Sequence, residues 1–480
     1  MSVALVVRTS TIMLLSQAVA RAAGLATFMV LTRFLTVGEV GTFGYAVTLV
    51  GFLTLAVDFG FDLVVTRETA RDGSSRQASL AIRLKTPMFA ALYPALVVAA
   101  WLLAGRGPVL ALVALLGAAV WHESANRSIA AHFLARGRAE YGFVSEVLAS
   151  LLRLTLVPLL LLAGARVVGV GVGYVAASLV TVLILVTWAV RHGFRLAAPV
   201  ASGEVRRLFS EGFYFALYGL LFQAYFRIDV ILLGVLRPAA DVGEYVAAFR
   251  VIEVLLVVPA VLTGALYPVL SRLDGSGDHA AFRRGCAEAT RWLSLAGCGL
   301  ALIVGVAASP IVRLVAGRGY EPAAAYLPFL VPTFALICLN CVSLLALNAV
   351  GRQRMNVRVM FIGAATKLAW DLLLIPQYGP LAACVGSVVT EVVVTASVVR
   401  FVRSWYSPRD WWRAGARPAA AAVAGLGSVW LLSTLPLLAR LGAGVAIFAV
   451  VAIAAGAVRR DDVAALARLW RARAGGAALP

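Results

Sequence analysis

The sequence predicts an all-α polytopic membrane protein of about fourteen transmembrane helices, and three observations predict it. Of the 480 residues, 62% are apolar and 14% charged, against roughly 45–50% and about 25% in soluble domains, which excludes a water-soluble enzyme. A mean hydropathy of +0.92 over the whole chain cannot come from one anchor, because a single span would be diluted by its soluble remainder. Apolar runs of the roughly 20 residues that a helix needs to cross a bilayer core follow one another along the chain, and no polar stretch between them is long enough to fold as a domain.

Taken in order, spans 1 and 2 centre near residues 21 and 55 and flank an acidic, glycine-containing turn, Gly38-Glu39-Val40-Gly41-Thr42-Phe43. The apolar run after Arg8 is too long for the core of a cleavable signal and contains Arg21, so it reads as span 1. Spans 3 to 6 centre near residues 95, 118, 155 and 180, with Gly137-Arg138 in an internal turn. A polar stretch, 191–210, precedes spans 7 and 8 near 222 and 257, and a second, 271–291, precedes spans 9 and 10 near 298 and 337. Spans 11 and 12 centre near 366 and 390, after the turn Gly351-Arg352. Spans 13 and 14 centre near 428 and 449, with the alanine-rich stretch 414–428 part of span 13. Pro259, Pro268, Pro332 and Pro376 fall inside spans, where proline kinks or terminates a helix.

The 42 basic and 23 acidic residues give a net charge of +19, carried almost wholly by arginine. In a membrane protein this excess belongs to cytoplasmic loops, so no nucleic-acid partner is expected. With the N-terminus cytoplasmic, 29 basic residues fall on the inner side and seven on the outer. The inner count includes Arg67, Arg71, Arg76, Arg83 and Lys85 after span 2 and Arg272, Arg283, Arg284 and Arg291 after span 8. That asymmetry predicts two cytoplasmic termini and an even number of spans.

A shift of 202 residues lays Gly38-Glu39-Val40-Gly41 over Ala240-Asp241-Val242-Gly243, and a shift of 214 lays Gly137-Arg138 over Gly351-Arg352. Spans 1–6 and 7–12 therefore read as two copies. Six is even, so both copies start on the same side and are related by a pseudo-two-fold along the membrane normal, with a cavity between lobes. The expected organisation is an N-lobe, 1–200, a C-lobe, 201–405, and spans 13 and 14 with a cytoplasmic tail, 406–480.

Six basic residues remain inside spans: Arg21, Arg127, Arg153, Arg227, Arg250 and Lys367. An arginine at a helix centre costs about 2.5–3.5 kcal/mol on insertion scales, so each must pair or line water. Arg127 has Glu123 four residues back, Arg250 has Glu253 three ahead and Lys367 has Asp371 four ahead, spacings that share a helix face. Arg21 and Arg153 have no acid at such spacings, and Asp229 lies two residues from Arg227, on another face. The candidate substrate-contacting set is Arg21, Arg153, Arg227, Arg250 and Lys367. Guanidinium suits phosphate or pyrophosphate, which it meets in a fixed two-pronged geometry. Asp58, Asp229, Asp371 and Glu391 are candidates for charge compensation or for a coupling cation, and Asp58 and Asp62 are expected on one helix face.

Other signals imply no cofactor and no metal. Cys338 and Cys341 form a lone CxxC inside a span, and His122, His132, His192 and His279 have no ligand spacing. Gly169, Gly171 and Gly173 lack the strand–helix context of a phosphate loop and read as close helix packing.

Several segments, in order and spacing, resemble the multidrug/oligosaccharidyl-lipid/polysaccharide exporter superfamily, in its polysaccharide-flippase branch. They are Leu31-Thr32-Arg33-Phe34-Leu35 with Gly41 and Gly44-Tyr45; Asp58-Phe59-Gly60-Phe61 with Arg67-Glu68; Arg227-Ile228-Asp229-Val230; Tyr267-Pro268-Val269-Leu270-Ser271; and Leu374-Ile375-Pro376-Gln377-Tyr378-Gly379. Asp371 stands where that branch commonly has asparagine, and Leu381 where it has glycine. The likeness covers about residues 8–405. It implies a MATE-like fold and a monomeric flippase, not an enzyme, in a bacterial cytoplasmic membrane. Such a protein moves undecaprenyl-diphosphate-linked sugar units outward by alternating access for envelope or exopolysaccharide biosynthesis. Its partners would be the lipid-linked glycan, membrane lipids, and the glycosyltransferases and polymerase of the pathway. A cation-coupled multidrug exporter and a lipid II flippase share the fold and remain alternatives. A membrane glycosyltransferase or polymerase would carry catalytic acids in a sizeable external loop, whereas the longest loops here are arginine-rich and cytoplasmic.

Overall fold

A computed structural model describes residues 3–105, 107–196, 202–403, 408–459 and 462, with no strand among the described residues. Arg106, Arg460, Arg468, Arg471 and Arg473 lie outside them. The helices are α1 (Val3–Phe34), α2 (Val37–Asp58), α3 (Phe61–Asp72), α4 (Arg76–Ala104), α5 (Pro108–Ala135), α6 (Glu140–Leu162), α7 (Arg166–Arg191), α8 (Ser202–Leu236) and α9 (Ala239–Leu255). They continue with α10 (Val257–Gly275), α11 (His279–Val306), α12 (Ala308–Val315), α13 (Glu321–Ala349), α14 (Gln353–Tyr378), α15 (Pro380–Val402), α16 (Pro408–Leu431) and α17 (Leu437–Ala454).

Every expected span centre falls in a helix, and thirteen segments are long and apolar enough to cross a membrane. The fourteenth, α16, differs for a simple reason. Arg409, Asp410, Arg413 and Arg417 crowd its first half, and the uncharged stretch from Pro418 to Leu431 falls short of the roughly 20 residues that a bilayer core demands. α16 packs against α11 and α17, and Gly425 meets α17 so closely that a Cβ there would lie 2.8 Å from the Gly444 carbonyl oxygen.

Two spans are broken midway. Val37–Asp72 is interrupted at Phe59 and Gly60, both left-handed, with φ of 47° and 72°. A Cβ on Gly60 would lie 2.5 Å from the Phe215 Cβ, so both the backbone conformation and the space call for glycine. Ala239–Gly275 is interrupted between α9 and α10. Pro259 lies four residues after Leu255, the end of α9, and has no N–H to donate to its carbonyl. The start of α2 carries a capping box, with Thr36 Oγ1 accepting from Glu39 N–H at 3.3 Å and Glu39 Oε2 accepting from Thr36 N–H at 3.0 Å.

The chain forms two compact units. The first comprises residues 1–254, 312–326 and 360–386. In it α1 packs on α6, α5 on α4 and α7, and α2 on α4, α5 and α8. Gly169 and Gly173 bring α7 against Leu160 and Val157 of α6, while Gly171 faces Leu112 and Leu115 of α5, which is close helix packing and not a phosphate loop. A core around Phe61, Phe133, Tyr141 and Leu208 joins α3, α5, α6 and α8. Arg67, Glu68, Arg207 and Glu211 form a network there, joining α3 to the start of α8.

The second unit comprises residues 255–311, 327–359 and 387–480. Within it Arg291, expected in a loop, is buried in α11, pairs with Glu288 and Asp462 at 2.6 Å each, and donates to the Ala457 carbonyl at 2.7 Å.

Candidate functional site

All five candidate cations lie in the first unit, and four of them, Arg21, Arg153, Arg227 and Arg250, come from four different helices, α1, α6, α8 and α9. Arg250 and Glu253, one turn apart on α9, pair at 2.8 Å as their spacing predicts. Arg227 of α8 forms an ion pair with the same carboxylate, and Arg21 of α1 reaches the Glu253 carbonyl oxygen at 3.5 Å. Glu253 is therefore the hub of three guanidinium groups. Arg153 of α6 pairs with Glu146 at 3.6 Å, two turns back on its own helix. Its guanidinium lies 5.6 Å from the centre of the Tyr174 ring, which is set edge-on against Phe43. Arg250 lies over Phe28 at 5.0 Å and Arg227 over Phe249 at 5.6 Å, so aromatic faces stabilise charges that carboxylates do not match one for one.

Four guanidinium groups share two ion-pairing carboxylates, Glu146 and Glu253, with Glu123 a third acid bearing on Tyr174 beside Arg153 and Arg250, and no guanidinium is sealed. The side chains of Arg153, Arg227 and Arg250 are 32%, 28% and 30% exposed, and Arg21 is exposed. Arg250 Nε is buried with no hydrogen-bond partner. An accessible patch with surplus guanidinium can accept a multivalent anion, with the residual charge and open N–H groups meeting phosphate oxygens.

The fifth candidate, Lys367, sits apart. Its ammonium pairs with Asp229 at 2.8 Å, the two side chains being 4% and 0% exposed, whereas the spacing predicted a bond to Asp371. Asp229 also accepts from Tyr245 Oη and from the Val230 N–H. Asp371 is buried nearby, with no hydrogen-bond partner on either oxygen. The lysine prefers the acid across the helix interface because that acid is already held in place by two further donors.

A third cluster corrects two expectations. Lys85, read from the sequence as a loop residue, lies inside α4 with a side chain 1% exposed, and pairs with Asp58 at 3.0 Å and Asp62 at 2.7 Å. Arg127 pairs with Asp58 at 2.9 Å instead of Glu123. Asp58 and Asp62, expected on one continuous helix face, are separated by the Phe59–Gly60 break yet converge on one ammonium. Ser124 bonds Asp58, and Ser128 donates to Asp62 at 2.6 Å. Two acids and two bases balance, so this cluster is a structural tie between α2, α3, α4 and α5. The fourth candidate acid, Glu391, lies in the second unit, buried beside Asn340.

The model of the family described as polysaccharide biosynthesis protein matches residues 6–274, more than half of the chain, including Arg21, Arg153, Arg227, Arg250 and Glu253. This chain belongs to that family. The polysaccharide biosynthesis protein family falls within the multidrug/oligosaccharidyl-lipid/polysaccharide exporter superfamily, and a second family model, MatE, matches residues 215–373. A relative in Escherichia coli K12 named "Putative O-antigen transporter" is 24% identical over 399 residues, covering 79% of this chain and 92% of that protein. Among solved structures, the lipid II flippase MurJ in an inward closed conformation has a TM-score of 0.71 at 10% identity, covering 91% of this chain and 97% of that one. An inward-facing multidrug resistance MATE transporter has a TM-score of 0.67 at 15% identity, covering 80% and 95%. The family and these neighbours are transporters and flippases, not enzymes, and this member is a multi-pass membrane protein of the same fold.

Glu253, Tyr174 and Lys85 are the residues that sequence reasoning undervalued. Glu253 was visible only as the partner of Arg250, because the other two arginines reach it from α1 and α8.

Proposed function

We propose that this protein is a flippase that carries undecaprenyl-diphosphate-linked oligosaccharide across the bacterial cytoplasmic membrane by alternating access, for envelope or exopolysaccharide biosynthesis. The observation that carries the reading is the group of four accessible arginines that share only two ion-pairing carboxylates. Arg21, Arg227 and Arg250 would hold the diphosphate or acidic sugars, with Arg153 beside Tyr174 extending the cationic surface. The lobes of residues 1–200 and 201–405 would rock about the site, both termini would be cytoplasmic, and glycosyltransferases and the polymerase of the pathway would supply and consume the glycan. Lipid II carries the same diphosphate chemistry and is the nearest competing substrate. A cation-coupled drug exporter needs an acidic site, which surplus guanidinium opposes.

The test is transport of a polyprenyl-diphosphate-linked fluorescent sugar in vesicles. Losing a charge-assisted hydrogen bond costs about 1.5–3 kcal/mol, roughly tenfold to a hundredfold in binding. Arg227→Ala should slow translocation by that order, and Arg227→Lys, which keeps the charge without the fork, should fall between. Full activity in Arg227→Ala with normal insertion would sink this role.

A further inference from the structure

The second unit holds a buried carboxyl that the arginine group does not use. Glu391 lies midway along α15 and is 2% exposed. Ser387 and Thr395, one turn to either side, share its helix face, so a polar stripe runs through an otherwise apolar span. From α13, Asn340 Nδ2 donates to Glu391 Oε2 at 3.2 Å and to Thr395 Oγ1 at 2.8 Å, and Thr395 Oγ1 lies 3.2 Å from Asn340 Oδ1.

What distinguishes Glu391 from the other candidate acids is the company it keeps. Asp58 and Asp62 have Lys85, and Asp229 has Lys367. Among the described residues no charged or titratable group bears on Glu391, from its own helix or from α13. An ionised carboxylate in such a place loses its hydration and gains no counter-charge, and one amide cannot replace either. A neutral carboxylic acid suits the same place, because it needs no counter-charge and one of its oxygens already accepts from the Asn340 carboxamide. A metal ion suits it less well, since the Asn340 N–H and not an oxygen is turned toward the carboxyl.

We propose that Glu391 is a proton-binding site and that the proton is the coupling ion of this transporter. While α13 and α15 are closed on one another the acid keeps its proton. When they part and water enters, the O–H bond breaks and the proton passes to water on one side of the membrane. The hydrated carboxylate then takes a proton from water on the other side before the helices close again. The protonated state stands on the geometry alone; its use in coupling rests on the flippase reading.

Infrared difference spectroscopy of the full chain in nanodiscs tests the site without any substrate. At neutral pH the wild type should show a carboxylic-acid C=O component that shifts in D2O and is missing from Glu391→Gln. The glutamine variant should still fold, since it copies the shape of the neutral acid and keeps the bond to Asn340. A spectrum with the same C=O components in Glu391→Gln as in the wild type overturns the proposal. In vesicles loaded with a polyprenyl-diphosphate-linked fluorescent sugar, a pH gradient should change the wild-type rate several-fold and leave Glu391→Gln unmoved. An equal response of the two proteins, or a response to a sodium gradient in place of protons, overturns the coupling role. Should the wild type move no such lipid while the C=O component is still lost in Glu391→Gln, the proton site stands and the flippase reading falls.

Discussion

Replacing Lys367 with methionine is expected to remove about 3–5 kcal/mol of stability, the cost of breaking a buried ion pair by deleting one partner. Lys367 and Asp229 are sealed from solvent at 2.8 Å, and Asp371, fully buried one helical turn along, has no hydrogen-bond partner on either oxygen. Among the described residues no other cation bears on Asp371. One ammonium therefore compensates two carboxyl groups, and its loss leaves both in a low-dielectric interior. The measurement is thermal unfolding of the purified protein in one detergent, beside Lys367→Met/Asp229→Asn. Removing both partners leaves one uncompensated carboxyl, Asp371, in place of two, so the double variant should be more stable than Lys367→Met alone, a coupling that a double-mutant cycle reads directly. Equal melting of Lys367→Met and the wild type would mean that the ammonium does not carry the compensation.

The buried charges mark the boundary of what the sequence could disclose. The helices were legible because each span must be apolar over roughly 20 residues and must satisfy its backbone internally. Within a helix the one-turn rule also worked where both partners faced the same way, as for Arg250 and Glu253. It failed for Lys367 and Arg127, whose carboxylates lie on other helices. An acid already oriented by tertiary donors outcompetes a local one that would have to bend round the helix, and such donors have no sequence signature. Lys85 was misplaced because it follows four arginines in a charge-rich stretch; only its neighbours Asp58 and Asp62, brought together by the Phe59–Gly60 break, distinguish it from a loop residue. The gathering of Arg21, Arg227 and Arg250 at Glu253 spans three helices and was equally out of reach, although the lack of an acid on the same helix face set Arg21 and Arg227 apart.

Gly41→Ala and Gly243→Ala should each destabilise the protein by about 1–3 kcal/mol or more, the range for forcing atoms into a closed contact. A Cβ on Gly41 would lie 1.9 Å from the Ala239 carbonyl oxygen and 2.7 Å from the Gly243 nitrogen, and one on Gly243 would lie 2.1 Å from the Val37 carbonyl oxygen. Backbone meets backbone here, so no side chain can swing aside and α2 and α9 must separate. Gly38 is the internal control, because its nearest neighbours would be 3.9 Å away and Gly38→Ala should melt as the wild type does. The contact is also reciprocal. Residues 41 and 243 differ by the 202-residue shift that aligned the two glycine-containing segments, which the structure places in the first turns of α2 and α9, as do 37 and 239, and Gly44 meets Val246 by the same rule. Reciprocity of this kind is what a two-fold relation between the two helices produces. The two single variants should therefore lose similar stability, and the double variant less than their sum, since either methyl group already forces the same separation. Strongly unequal losses in thermal unfolding would show that the crossing is not two-fold and that the shared glycine has a different cause in each helix.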